Sequence, residues 1–470
     1  MTSERMDFPV VIVGSGLAGI HAASTLAEHD IDVLLADENP HLGGQLLRRP
    51  DSRLLKDPVT EDDPLKRTGF RYIEQLKRRK ITILNQATVT GIYPPDRLML
   101  SIGDREVRMV SFRTLLFATG AREKFLPFKG WTLPGVYSSG MVQVLIKNNR
   151  ILPDRSMVLA GSGLFLFSVA HAYLKAGGKL QGIFELTRMG NKLKLLPSLL
   201  HFPQKITEGT RYLSRIFWSR TSLRFRSIVL EARGKTELSE VVVGRLDSAG
   251  RLVPGTRRTI PTRTLTVGFG FTPNVEGPGA AGCELQYQPQ LGGWVVPVDS
   301  DLQTSRPGIF AAGEITGVGG ALKSIDEGKI AALGILRHLG KISDHRYGEK
   351  TAGLKKRRRQ HLRFTRLFNG LYHPPKGVFD AIPEDTVICR CENVTLGELK
   401  KALGDHPLSP SELKIHTRCG MGSCQGRTCG PVIFDLWSSL SSRTEPEFRF
   451  WSVRPPLKPL QINALKNFKS

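Results

Sequence analysis

The chain has little with which to leave a reducing compartment or to cross a membrane. Met1 to Asp7 is polar and lacks an apolar core, so no signal peptide is expected. The stretch most easily mistaken for a span, Ser156 to Leu174, carries no formal charge. Gly161-Ser162-Gly163 breaks it near its start and His171 lies near its end, so strand, turn and helix explain it better. Cysteine is scarce, with 6 in 470 residues. Cys283 stands alone and the other five fall between Cys389 and Cys429. Without an export signal, such clustering argues for a metal site and against disulfides. Acidic residues are also short, 43 against 67 basic, for a net charge of +24. That excess attracts an acidic partner subunit or an anionic membrane surface. No nucleic-acid motif accompanies it, so nucleic acid is not an expected partner; a plain basic surface is the alternative. With 40% hydrophobic and 23% charged residues the composition is that of a soluble globular protein, long enough for two or three domains.

What is present begins with Val10-Val11-Ile12-Val13-Gly14-Ser15-Gly16-Leu17-Ala18-Gly19. An apolar strand breaks into Gly-x-Gly-x-x-Gly and then an Ala-rich helix. Gly14 allows the turn, Gly16 lets backbone approach a pyrophosphate, and Gly19 lets the helix sit close on the strand. The helix N-terminus offers free N–H groups to that anion. A second strand, Ile31 to Ala36, ends at Asp37, where an acid is needed for a ribose hydroxyl. Gly43, Gly44 and Gln45 then suit a loop against the cofactor. Arg48 and Arg49 either touch phosphate or are solvated. Residues 50–70 read as a polar excursion loop, and 81–93 alternate like strands.

Thr114 to Phe117 is a buried strand ending in Ala118-Thr119-Gly120, which resembles the segment where two-dinucleotide-domain flavoproteins leave their FAD domain. The strand–turn–helix pattern returns at Met157 to Lys175, with Gly161 and Gly163 but Leu166 at the third glycine position, and its next strand ends at Glu185. The replacement pushes the helix off the strand, so ordinary NAD(P) binding is not expected there. A second nucleotide, or an FMN at a subunit interface, remains an open alternative. No Cys-x-x-Cys lies near this unit, which argues against a disulfide reductase of the thioredoxin-reductase kind. Residues 188–225 are basic and irregular, with Lys192, Lys194, Lys205, Arg211, Arg215, Arg220 and Arg224, and read as an interface or exposed insertion. Thr266 to Asn274 looks like the return to the FAD domain. Ile309-Phe310-Ala311-Ala312-Gly313-Glu314 resembles the second FAD fingerprint, whose acid holds the ribityl chain; here it is Glu in place of Asp. Residues 341–377 form a linker-like stretch containing Lys355-Lys356-Arg357-Arg358-Arg359. Leu354, Leu362, Leu367, Phe368 and Leu371 suggest a helix with one buried stripe, its basic side either docking on something acidic or simply solvated.

Four thiolates around two irons make a [2Fe–2S] site, and small residues between the cysteines let backbone wrap it and aim N–H groups at sulfur. Cys389-Arg390-Cys391 is a tight pair, followed after 32 intervening residues by Cys424 and then by Cys429; 27 residues separate Cys391 from Cys419. Two capping boxes, Thr395-Leu396-Gly397-Glu398 and Ser409-Pro410-Ser411-Glu412, start short helices between them. Structural zinc is the alternative. The segment resembles the bacterioferritin-associated-ferredoxin (BFD) type of [2Fe–2S] domain. That resemblance favours Cys389, Cys391, Cys424 and Cys429 as ligands, with Cys419 as an alternative ligand; the last pair departs from the domain's two-residue spacer.

The order of these units, ending in Cys389-Arg390-Cys391-Glu392 and Arg418-Cys419-Gly420-Met421-Gly422-Ser423-Cys424-Gln425-Gly426-Arg427-Thr428-Cys429, resembles the α (A/B-type) subunits of bacterial heteromeric amino-acid dehydrogenases. These are of the opine oxidase, proline or hydroxyproline dehydrogenase and hydrogen cyanide synthase type. The last run also resembles the anaerobic glycerol-3-phosphate dehydrogenase large subunit. The resemblance covers Val10 to about Leu440. It implies an α/β fold with two Rossmann-like domains of the FAD/NAD(P)-dependent disulfide-reductase type and a small helical [2Fe–2S] domain. The expected layout is an FAD domain at 1–135 and 266–340, a degenerate nucleotide domain at 136–265, a basic linker at 341–380, the cluster domain at 381–440 and a tail at 441–470. FAD would be held by Gly14, Gly16, Gly19, Asp37, Gly44, Gln45, Ala118, Thr119, Gly120, Gly313 and Glu314. The expected role is electron transfer in the cytoplasm, peripheral contact with the inner membrane face being an open alternative. Partners would be a small ferredoxin-like subunit plus a second flavoprotein subunit. No residue pair looks like a substrate acid and base. Competing readings are a self-sufficient NAD(P)H-dependent FAD oxidoreductase and a non-catalytic assembly subunit.

Overall fold

The computed structural model describes residues 6–48, 64–77, 81–103, 106–188, 190, 202–375, 377–403, 408–440, 449–466 and 468. β1 (Met6–Val13) leads to α1 (Leu17–Ala27), β2 (Val33–Ala36), α2 (Pro64–Lys77), β3 (Ile81–Leu84), the hairpin β4 (Ala87–Tyr93) and β5 (Arg97–Ile102), and the long β6 (Glu106–Phe117). Val10, Val11 and Ile12 are fully buried, which is why this strand reads as an unbroken apolar run. The strands lie in the order β3-β2-β1-β6-β5-β4. Val13, Ala36 and Phe117 are level with one another, so the turns that follow them open on one edge of the sheet. Ligands bind at that edge of open α/β sheets. The expected loop at 50–70 is corrected in part: residues 64–70 begin α2, because Ile73 and Leu76 bury against the first domain's core. Residues 50–63 lie outside the described set.

After β7 (Ala121–Glu123) and β8 (Val136–Ser138) come α3 (Ser139–Val144), β9 (Ser156–Gly161), α4 (Leu164–Lys175), β10 (Lys179–Glu185), α5 (Pro203–Trp218) and β11 (Leu223–Phe225). β12 (Ser227–Arg233), β13 (Glu240–Arg245) and β14 (Arg258–Pro261) form an antiparallel sheet of their own. β15 (Leu265–Gly268) completes a second parallel sheet, β11-β10-β9-β15-β8. The chain returns through β16 (Phe271–Pro273), which pairs with β7, so the two crossings between domains are zipped together. β17 (Ile309–Ala311) then lies beside Leu115 to Phe117 and completes the first sheet. The basic stretch 203–218 is helical rather than irregular, since Tyr212 and Ile216 pack on α4. Lys192 and Lys194 lie outside the described residues.

α6 (Ala321–His338) packs on α1, and α7 (Asp344–Tyr372) packs on α6. The stretch expected as a basic linker is therefore mostly one 29-residue helix. Its buried residues are Tyr347, Thr351, His361, Phe364, Thr365 and Tyr372, while Leu354, Leu362, Leu367, Phe368 and Leu371 are half-buried. Its basic side is solvated at Lys356, Arg357 and Arg359, yet three of the five cations also have acidic partners and are not free for docking as a block. Lys355 pairs with Asp301, Arg357 with Asp326 and Arg358 with Glu327; Lys356 and Arg359 remain exposed. Burial disfavours the charge on Asp301, but hydrogen bonds from Tyr347, Ser300 and Lys355 outweigh it and hold its pKa down to about 2. A depressed carboxylate contributes stability above its unfolded value, near 4, and loses it as pH falls toward 2. Asp301→Asn is therefore expected to lower the melting temperature at pH 7 while flattening its fall below pH 4, as thermal melts across pH would show.

The cysteine region contains a short hairpin, β18 (Val387–Cys389) and β19 (Val394–Thr395), then α8 (Leu396–Leu403), α9 (Pro410–Thr417) and α10 (Cys429–Leu440). Ser409 and Glu412 close the expected capping box on α9. At the first box, Glu398 accepts from the N–H and hydroxyl of Thr395. Among the described residues no helix is long and apolar enough to cross a membrane.

Candidate flavin and iron–sulfur sites

The first glycine turn has the shape a pyrophosphate needs. A Cβ on Gly14 would stand 2.3 Å from the Ala118 carbonyl oxygen, and one on Gly19 would stand 1.9 Å from that of Gly14. At Gly16 a Cβ would meet nothing within 4 Å, so this face of the turn is open. Gly16 is also the N-cap of α1 and supplies no capping side chain, leaving the helix N–H groups to a ligand. The Gly43–Gly44 loop lies against the turn: the Gly43 N–H donates to the Ser15 carbonyl, 2.9 Å. Gln45 is exposed. Arg48 points to the Asn39 side chain at 3.4 Å, and Arg49 lies outside the described residues.

Asp37 is buried at the expected corner after β2. One carboxylate oxygen accepts from the Ser15 N–H (2.6 Å) and hydroxyl (2.7 Å), the other from the Asn39 N–H (2.8 Å) and amide (2.9 Å). It thus fixes the turn. Ala118 donates to the Val13 carbonyl, and Asn274 clamps the Thr119-Gly120 turn through three hydrogen bonds of 2.8–3.0 Å. Glu314 accepts from the N–H groups of Gly319 (3.2 Å) and Gly320 (2.6 Å) at the start of α6, while burial raises its pKa. Gly313 is held by a group that the sequence did not reveal. Glu327 accepts from the Gly313 N–H (2.8 Å) and pairs with Lys323 (2.9 Å) and Arg358 (2.8 Å), and Lys323 donates to the Gly313 carbonyl (2.7 Å). Spacing four apart on a helix hinted at the Lys323–Glu327 pair, but its complete burial was not legible.

At the second glycine turn a Cβ on Gly163 would likewise meet nothing within 4 Å, and Gly163 is the N-cap of α4 without a capping side chain; what differs is the neighbour at Ser162. Ser162, between Gly161 and Gly163, donates its hydroxyl to the Tyr372 carbonyl at 3.0 Å and is 3% exposed. Leu166 at the third position is buried. Burial, and then the Glu185 charge, raise the pKa of the Tyr372 phenol. The end of α7 thus meets the second glycine turn at Ser162.

All five late cysteines converge. The sulfurs of Cys389, Cys419 and Cys429 lie within 4.8 Å of one another and are buried. Cys391 is exposed, and Cys424 is half-buried and hydrogen-bonded to Cys391. The N–H groups of Gly420 and Glu392 point at the Cys389 sulfur, and those of Gly426 and Thr428 at Cys424. Convergent thiols with backbone N–H groups aimed at sulfur fit an iron–sulfur cluster. The expected set of Cys389, Cys391, Cys424 and Cys429 thus falls on two sides of the site, with Cys419 on the buried side. Trp451, in the expected tail, covers this loop: a Cβ on Gly426 would lie 2.0 Å from its ring. The same segment then reaches Thr90 and Glu38 of the first domain through Leu457 and Lys458.

Comparison with known proteins agrees with this architecture. Residues 8–331 match the family described as pyridine nucleotide-disulphide oxidoreductase, and residues 387–436 match the BFD-like [2Fe-2S] binding domain. The chain is 31% identical over 470 residues to hydrogen cyanide synthase subunit HcnB of Pseudomonas protegens, covering 98% of this chain and 97% of that one. It is 31% identical over 459 residues to the opine oxidase A-subunit of Rhizobium meliloti, covering 97% of each. Among solved structures, L-proline dehydrogenase from P. horikoshii superposes with a TM-score of 0.68 at 18% identity, over 99% of this chain and 80% of that one, a likeness of fold. The matched domains carry FAD and a [2Fe–2S] cluster, which decides against structural zinc at the cysteines. The chain belongs to the pyridine nucleotide-disulphide oxidoreductase family, as an FAD-dependent oxidoreductase subunit with a C-terminal BFD-like [2Fe–2S] domain.

Proposed function

We propose that this chain is the electron-transferring subunit of a heteromeric dehydrogenase acting on an amino acid or opine. A partner flavoprotein would oxidise the substrate, and a small ferredoxin-like subunit would complete the assembly. When bound, the flavin takes up an electron pair and the cluster passes electrons one at a time. The chain's own part is to hold and align. Gly14, Gly16 and Gly19 present backbone to the pyrophosphate, and Asp37 and Glu314 fix the loops on either side of it. Ala118 to Gly120 forms the floor, and Cys389, Cys391, Cys424 and Cys429, with Cys419 in reserve, supply the thiolates. The observation that carries the reading is the Ser162–Tyr372 hydrogen bond, which sets the end of α7 against the second glycine turn. Together with Leu166 at the third glycine position, this contact supports a reading in which electrons arrive from another chain and not from a nicotinamide cofactor at this turn. The relatives' names, a hydrogen cyanide synthase and an opine oxidase subunit, support substrates of the amino-acid class.

The test is anaerobic reduction of the purified chain. NADH and NADPH are expected to leave its flavin absorbance unchanged, while addition of the cognate partner and its amino-acid substrate bleaches it. Rapid bleaching by NAD(P)H alone would establish the self-sufficient reductase instead. A colourless protein with stoichiometric zinc would make this an assembly subunit.

A further inference from the structure

The strand that leaves the flavin turn also grips the cysteine loop. Arg122 lies in β7, two residues after Gly120. Its Nε donates to the carbonyl of Arg427 at 2.9 Å, and Arg427 stands between Cys424 and Cys429. Its Nη1 donates to the Asn274 side chain at 2.7 Å, the same Asn274 that clamps Thr119 and Gly120. Its other terminal nitrogen pairs with Glu276 at 2.7 Å. The pair is shielded, with side-chain exposures of 21% and 8%. Burial disfavours charge on Glu276, but Arg122 and Arg427 outweigh it and keep the carboxylate ionised. A second ion pair, Lys124 with Asp435, ties the same crossing strand to α10. These contacts join residues about 150 to 300 apart in sequence.

We propose that Arg122 and Glu276 form a buried charge pair that tunes the reduction potential of the cysteine-held centre, Arg122 raising it and Glu276 lowering it. Reduction adds negative charge at the cysteines. A fixed cation on their loop favours that state and a fixed anion opposes it, most strongly where water is excluded. Arg122 is bonded to the cysteine loop itself, and Glu276 balances it from the flavin side. The pair is therefore a positioning and electrostatic element between the two redox sites, with no contact to substrate. The inference rests on the reading that the cysteines carry a working [2Fe–2S] centre.

The experiment is an EPR-monitored redox titration of the full chain purified anaerobically, as wild type, Arg122→Gln, Glu276→Gln and the double variant. Arg122→Gln is expected to shift the midpoint potential downward and Glu276→Gln upward, with the double variant between them near wild type. Spin counts and iron content report cluster occupancy independently. A purely structural role would change occupancy or melting temperature without moving the potentials in opposite directions. Occupied clusters whose potentials stay at the wild-type value, or move the same way in both single variants, overturn the proposal. If Arg122→Gln does not fold, Glu276→Gln decides alone: no upward shift overturns it. Absence of any cluster signal in wild type would instead remove the functional reading beneath it.

Discussion

Cys424→Ser and Cys391→Ser are expected to abolish the visible and EPR signals of the [2Fe–2S] centre, whereas Cys419→Ser should leave them nearly intact. The geometry makes the two sides of the site unequal. On the exposed side Cys391 and Cys424 are free thiols that interact with each other, and neither belongs to the close group of three on the buried side. A lost ligand there has no substitute. On the buried side three thiols lie within 4.8 Å, so Cys419 can take the place of Cys389 or Cys429. Cys389→Ser and Cys429→Ser should therefore keep a cluster with altered g-values, and each should lose it when combined with Cys419→Ser. Iron content and EPR of anaerobic preparations measure this directly. Loss of the cluster in Cys419→Ser, with retention in Cys424→Ser, would reverse the assignment.

Glu327→Ala is expected to give the largest loss of stability, about 3–5 kcal/mol, because it strips the counter-charge from a fully buried lysine. Lys323 and Glu327 are both 0% exposed, and the same carboxylate holds the Gly313 N–H and the Arg358 guanidinium. Removing it leaves a buried donor at Gly313 as well, so retention of FAD should fall along with the melting temperature. Glu327→Gln keeps an acceptor and should be the milder change. Thermal melts and flavin content after gel filtration separate the two effects; unchanged flavin content in Glu327→Ala would show that the network does not support the fingerprint turn. Burial pushes the Glu327 pKa up, but Lys323 and Arg358 outweigh it and hold it below normal. Its contribution is therefore complete above about pH 4.3 and lost as pH falls further.

What could be read from the chain were patterns short enough to be local. Val10 to Gly19 encodes strand, turn and helix within ten residues, because the apolar run, the glycine spacing and the Ala-rich start each act on their own neighbourhood. The damage at Leu166 was legible for the same reason, and so was the confinement of five cysteines to one segment. The basic run in α7 was legible only in part, because charge alone does not say which cations find acids. Lys355, Arg357 and Arg358 are neutralised by Asp301, Asp326 and Glu327, on elements the pattern of α7 does not mention.

By itself the sequence determined two dinucleotide turns, one intact and one degenerate, and a thiolate-rich segment after them, since each depends on backbone conformation and side-chain chemistry a few residues apart. Only the tertiary structure decided how these parts meet. Ser162 and Tyr372 are 210 residues apart, Arg122 and Arg427 are 305 apart, and Trp451 closes on Gly426 from the tail. Such contacts come from packing whole elements against one another, which brings the end of α7 to the second turn and fastens the cysteine loop to the strand that follows Gly120.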